Sequence, residues 1–172
     1  MGSGAGIIIQ EIVDLRECPE LTPEIARYHH DEWGELNPGQ RLEDRVRAME
    51  VYLENKLIPT MFVMLLREKG DAEQPVRFAG TAALIACDMD THPELSPWLA
   101  SVFVLPEYRR QGIGSALVEH AMAQAGAGGI GELFLFTPDQ EAFYQRLGWH
   151  KSSSERYRDI YVSVMQARLR GR

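Results

Sequence analysis

Apolar residues in this chain fall into short unbroken runs and longer periodic stripes, and their alternation sets out an order of strands and helices. Residues 7–13, IIIQEIV, read as a first strand. Thr22-Pro23-Glu24 then opens a helix running to about Trp33: threonine suits the N-cap, proline suits the first helical position, and Leu21 can staple against Ala26. Gly34 and Asn37-Pro38-Gly39 break that helix. A second covers residues 41–54, where Leu42, Val46, Met49 and Leu53 recur at helical spacing. Residues 59–66, PTMFVMLL, and 77–87, RFAGTAALIAC, are strand-like. Glu68-Lys69-Gly70-Asp71 between them is a polar turn, the pattern of an antiparallel hairpin.

A loop rich in Asp, Pro and Ser occupies residues 88–97. The apolar run 98–105, WLASVFVL, is short enough to be a buried strand and ends at Pro106. Beyond it, Arg109-Arg110-Gln111-Gly112-Ile113-Gly114 leads into an apolar-periodic helix that ends in the glycine cluster of residues 126–131. Residues 132–136 form a short strand. Thr137-Pro138-Asp139-Gln140 has capping-box spacing with proline at N1, so a last helix starts there and stops at Gly148. Strands over 149–152 and 159–167 complete the order. The sequence β-α-α-β-β-β-α-β-α-β-β argues for an α/β (α+β) fold, a mixed, mostly antiparallel central sheet with helices on both faces. No repeat or linker divides it, so residues 7–168 read as one domain between a flexible leader, 1–6, and a short tail, 169–172.

Composition narrows the classes of function. A hydrophobic content of 45% and a charged content of 25% are ordinary for a globular protein. A net charge of −7 argues against a general nucleic-acid or anionic-membrane binder, and it makes the basic pair Arg109-Arg110 stand out. No run approaches the ~20 apolar residues of a membrane span, and the run at 7–9 lacks the length and basic flank of a signal peptide. Cys18 and Cys87 form no framework and fit reduced thiols, so a cytoplasmic location is expected. His29-His30-Asp31-Glu32 lacks the i,i+4 spacing of a helical metal site, and no metal is expected.

A strand that feeds a glycine loop and a helix start is a place to hold a phosphate, because the helix N-terminus offers unpaired N–H groups and the positive end of its dipole. A Walker loop needs a Gly-Lys-Ser/Thr ending, which is absent. A Rossmann fingerprint needs a third glycine near the first strand of the fold. Residues 102–116, VFVLPEYRRQGIGSA, instead resemble the pyrophosphate-loop signature of the GNAT superfamily of acyl-coenzyme A N-acyltransferases. Phe143-Tyr144-Gln145-Arg146-Leu147-Gly148-Trp149 resembles that family's second signature, in the expected order and on the expected elements.

The resemblance implies a site. Backbone N–H groups of Gln111, Gly112, Ile113, Gly114 and Ser115 would cradle the pyrophosphate of acetyl-CoA, with Arg109 and Arg110 adding positive charge. The strand carrying Val102, Phe103 and Val104 would splay from 132–136 and present its backbone to the pantetheine arm, one amide facing the thioester oxygen. Tyr144 would protonate the leaving sulfur. Tyr28, His30, Glu32 and Trp33 would wall the acceptor pocket, where acidic residues would favour a cationic amine.

The strand glutamate that often serves as base in this family is missing from WLASVFV. Glu94 is the first choice in its place, ahead of Asp88, Asp90, Glu32 or a water chain. Thr137 stands where the family often has asparagine. The implied reaction moves acetyl from acetyl-CoA to a primary amine of a small molecule by direct attack, through a tetrahedral intermediate. Alternatives are a non-catalytic acyl-CoA sensor or interaction module, or a protein or peptide N-acetyltransferase. Family habit adds a homodimer joined through C-terminal strands.

Overall fold

A computed structural model describes residues 8–69 and 76–171. The leader 1–6, Ile7 of the first strand, Gly70-Asp71 of the predicted turn, and Arg172 lie outside the described residues. The strands are β1 (Ile8–Asp14), β2 (Thr60–Glu68), β3 (Arg77–Ile85), β4 (Trp98–Val104), β5 (Glu132–Thr137), β6 (His150–Tyr157) and β7 (Ile160–Arg168). The helices are α1 (Thr22–Trp33), α2 (Leu42–Met49), α3 (Ile113–Ala127) and α4 (Glu141–Arg146). They make the predicted order, and one seven-stranded sheet runs β1-β2-β3-β4-β5-β7-β6. Every pairing is antiparallel except β4 with β5.

The continuous apolar run of β2 is explained by burial on both faces. Phe62, Met64 and Leu66 join the cluster containing Leu117, Val118 and Ala121 of α3, together with Tyr144 of α4. Met61, Val63 and Leu65 join the opposite cluster, with Ile25 and Ala26 of α1 and Met49 of α2. Side chains alternate across a strand, so α1 and α2 cover one face and α3 and α4 the other.

Four local expectations are corrected. Thr22 is not an N-cap: a 3₁₀ turn over Pro19–Leu21 runs straight into α1, leaving the buried Thr22 hydroxyl without a partner. The second helix tightens to 3₁₀ over Glu50–Leu53, and three residues per turn rotate Leu53 off the stripe into solvent. The last helix begins at Glu141 rather than after Thr137, whose Oγ1 accepts from the Gln140 N–H at 3.0 Å in the turn before it. The strand predicted over 149–152 continues to Tyr157, and a two-residue turn at Arg158-Asp159 joins it to β7. Both turn residues have positive φ, +46° and +67°, the geometry hairpins prefer, reached here without the usual Asn-Gly signal.

Candidate active site

The site is built on β4, which is irregular on both of its edges. Against β3 the register shifts between Thr81 and Ala83, bulging Ser101 and Val102 outward, and Ser101 adopts φ +51°. Against β5 the parallel pairing consists of Trp98 with Phe134 alone, after which the two strands part. The splay expected between 132–136 and the strand carrying Val102, Phe103 and Val104 is therefore present. It exposes backbone along β4 toward the gap. Val102 and Val104 pack on the α3 face, while Phe103 is buried on the other face against Tyr28, His29 and Trp33.

Ser101 is held from beneath. Thr81 Oγ1 donates to the Ser101 carbonyl at 2.8 Å, which uses its single proton. The contact of 2.9 Å between Thr81 Oγ1 and His29 Nε2 must then be donated by the imidazole, so His29 is the neutral Nε2–H tautomer. Burial, reinforced by the Arg45 charge, pushes His29 down to about 3. This histidine positions the bulge and is not protonated near neutral pH.

At the end of β4, a 3₁₀ turn over Pro106–Tyr108 delivers the arginine pair. Arg109 Nε donates to the Val104 carbonyl at 2.9 Å, while Arg110 is exposed at φ +61°. Gln111 Nε2 donates to the Glu107 carbonyl at 3.4 Å. Gly112 is the left-handed N-cap of α3, φ +79°, and no side chain caps the helix. The amides of Ile113, Gly114 and Ser115 occupy the first turn of a 15-residue helix, where backbone donors lack intrahelical partners. Ile113 itself is a core anchor, 1% exposed. A Cβ on Gly114 would sit 3.5 Å from the Phe143 ring and 3.6 Å from a Val104 methyl, so the loop, β4 and α4 converge at this glycine. Tyr144, next along α4, is buried against Phe143 and Trp149. Desolvation, and then the Asp139 charge, raise its phenol well above the ordinary value.

On the opposite side of Ser101 lies a cavity of about 110 Å³, reached by His29 of α1, Gln40 and Arg45 at α2, and Tyr52. Tyr28, Glu32 and Trp33, expected as acceptor residues, do not line it. Tyr28 packs between Phe78 and Phe103 in the core, and Glu32 is exposed. Trp33 stands behind the lining, its ring 5.0 Å from His29 and 6.0 Å from the Arg45 guanidinium. Gln40, Arg45 and Tyr52 were not anticipated, and Ser101 was expected only in the strand that presents its backbone to the pantetheine. The one available signal was an arginine at helical spacing between Leu42 and Met49, on the stripe that α2 buries.

The loop carboxylates separate by environment. Glu94 is 62% exposed and its Oε1 lies 2.9 Å from His92 Nδ1; that hydrogen bond holds its carboxyl below the usual range. His92 is also 2.7 Å from Glu155 on β6, so the group knits the loop to the sheet. Such a carboxylate is a poor proton acceptor, which counts against the first choice of base. Asp90 is exposed and lies 3.9 Å from Arg158. Asp88, partly buried and close enough to Tyr52 to help raise that phenol to about 12, is itself pushed up to about 6 by desolvation.

The comparisons agree with this architecture. The family model for the acetyltransferase (GNAT) domain matches residues 60–151. The fold is shared with an acetyltransferase from Streptococcus agalactiae, TM-score 0.64 at 19% identity, covering 93% of this chain and 98% of that one. It is also shared with the ribosomal-protein-S18-alanine N-acetyltransferase from Escherichia coli, TM-score 0.61 at 20% identity, covering 95% and 96%. The yncA protein of Salmonella typhimurium, solved with its cofactor acetyl-CoA, aligns with TM-score 0.60 at 18% identity over 94% of both chains. No curated protein sequence matches. The chain belongs to the GNAT acetyltransferase family and is an enzyme, an acetyl-CoA-dependent N-acetyltransferase.

Proposed function

We propose that the enzyme transfers acetyl from acetyl-CoA to the primary amine of a small molecule by direct attack, with the donor on the β5 side of β4 and the acceptor in the cavity beside Ser101. The observation that carries this reading is the parting of β4 from β5 beyond Trp98, directly upstream of a helix start whose first-turn amides carry no side-chain cap. A pantetheine arm has amides that can pair with the freed edge of β4. A pyrophosphate suits the amides around Gly112–Ser115, with Arg109 and Arg110 beside them. The cavity volume of about 110 Å³ favours a small acceptor group over a folded protein surface.

In this reading the amine nitrogen attacks the thioester carbon while a β4 amide near Val102 or Phe103 stabilises the oxyanion. The C–N bond forms, the C–S bond breaks, and Tyr144 gives its proton to the departing thiolate. Asp88 takes the proton from the amine, directly or through water. A carboxyl held near 6 by its surroundings is a stronger base than an ordinary aspartate, and this supports Asp88 over Glu94. The test is to incubate the protein with acetyl-CoA and a panel of amines, following free thiol and acetylated product. Amine-dependent thiol release is expected. Binding of acetyl-CoA with no turnover of any amine would favour the sensor reading instead.

A further inference from the structure

The cavity beside Ser101 contains something that acetyl transfer alone does not require, a cation without a counter-ion. Arg45 reaches it from α2, and its Nε is sealed from solvent with no hydrogen-bond partner. Among the described residues no carboxylate pairs with its guanidinium. The neighbouring Asp44 is taken by Arg41 at 3.3 Å and by Arg47 at 3.7 Å. Gln40 Oε1, also at the cavity, is likewise buried without a partner. Burial lowers the affinity of Arg45 for its proton, and the flanking groups offer no compensation: His29 is neutral and Tyr52 is an un-ionised phenol. The guanidinium carbon stands 6.0 Å from the centre of the Trp33 ring.

A half-buried guanidinium with a sealed, unpaired Nε is costly to keep, and its planar fork of N–H donors matches a carboxylate. Asp88 does not line the cavity but stands close enough to Tyr52, which does, to act on its phenol, so an acid lies near the pocket that holds the cation. We infer that the acceptor is an amine that bears its own carboxylate, a compound of amino-acid size. Its carboxylate pairs with Arg45, while its amine faces Ser101 and Asp88 and can donate an N–H to the otherwise unpaired Gln40 Oε1. This rests on the reading of the cavity as the acceptor side of an acetyl-transfer site, and it replaces the expectation of a purely cationic amine.

The test uses paired acceptors, amino acids and the corresponding amines lacking the carboxylate, with wild type, Arg45→Gln and Arg45→Lys. Acetyl-CoA affinity is measured first by calorimetry. Wild type is expected to prefer the carboxylate-bearing member at least 100-fold in kcat/KM. Arg45→Gln is expected to raise the amino-acid KM more than 30-fold with acetyl-CoA affinity unchanged, and Arg45→Lys to restore part of the loss. Melting provides a readout independent of turnover. Arg45→Gln removes an unpaired charge, so the ligand-free variant melts no lower than wild type, and amino acids that raise the wild-type Tm leave the variant's unmoved. Equal use of both acceptor classes by wild type overturns the inference while leaving acetyl transfer standing, as does a fall of several degrees in the Tm of ligand-free Arg45→Gln. Loss of acetyl-CoA binding by wild type overturns the reading beneath it.

Discussion

The Thr81 hydroxyl donates to the Ser101 carbonyl at 2.8 Å and accepts from His29, so a buried polar chain reaches from α1 through β3 to the bulge of β4. Thr81 and His29 sit where water cannot easily substitute for a lost partner, being 0% and 1% exposed, while Ser101 is half-buried at the cavity. Thr81→Val keeps the shape but strands both an imidazole N–H and a carbonyl. It should cost about 2–4 kcal/mol, since each unsatisfied buried group costs roughly 1–3 kcal/mol. Thermal unfolding measures that loss. A fall in kcat beyond it, on the order of tenfold, would show that the position of Ser101 matters to the reaction.

Gly112 separates stability from ligand binding. A Cβ there meets nothing within 4 Å, so Gly112→Ala creates no clash within the protein. Its cost is that of a left-handed alanine, about 1–2 kcal/mol. The methyl enters the open space where the pyrophosphate is proposed to lie. Calorimetry should show acetyl-CoA affinity falling at least tenfold; retained affinity would put the pyrophosphate elsewhere.

Tyr144→Phe removes the proposed acid while leaving the ring between Phe143 and Trp149. The expected result is a drop of about 100-fold in kcat with little change in the KM for acetyl-CoA. Burial raises the phenol, so it stays protonated through the working range, and no alkaline limb below pH 10 should be traceable to it. Unchanged turnover in the variant would remove Tyr144 from the mechanism.

Asp88→Asn tests the base and carries a stability signature of opposite sign. Wild-type kcat/KM should rise as pH passes through about 6, where Asp88 ionises, and the variant should lose that limb and about 100-fold in rate. For stability, a carboxyl raised from 3.8 to about 6 on folding contributes most below the unfolded value. That contribution is lost as pH rises through the folded value. At pH 8 the variant should therefore be more stable than wild type, by on the order of 1–2 kcal/mol. Equal substitution effects at Glu94 and Asp88 would argue for a water chain instead.

The proposed donor half of the site could be read from the sequence because it is local. A glycine loop, an arginine pair, a helix start and the Phe143–Trp149 segment are contiguous in the chain, and their chemistry depends mostly on backbone conformation. Even there, the side chains diverge from a simple reading: Ile113 is a core anchor, and Arg109 is tied to the Val104 carbonyl. The cavity proposed to take the acceptor is assembled from segments distant in sequence. Arg45 comes from α2 and Gln40 from the segment just before it, His29 from α1, Ser101 from a bulge on β4, and Asp88, beside Tyr52, from a loop. The β6–β7 turn closes toward them, with Arg158 donating to Asn37 Oδ1 at 2.9 Å and to the Leu36 carbonyl at 3.3 Å.

By itself, then, the sequence determined the order of elements, the two-sided burial of β2 and the glycine loop, since these follow from periodicity and local conformation. Only the tertiary structure decided which titratable groups lose their water. Glu94 and Asp88 have the same chemistry six residues apart, yet one is solvated and paired with His92, and the other is desolvated beside Tyr52. Arg45 is one arginine among many in the chain, and its sealed Nε with no carboxylate partner among the described residues is what sets it apart and carries the proposal for the acceptor. Burial and pairing are properties of neighbours brought together by folding, and no spacing along the chain encodes them.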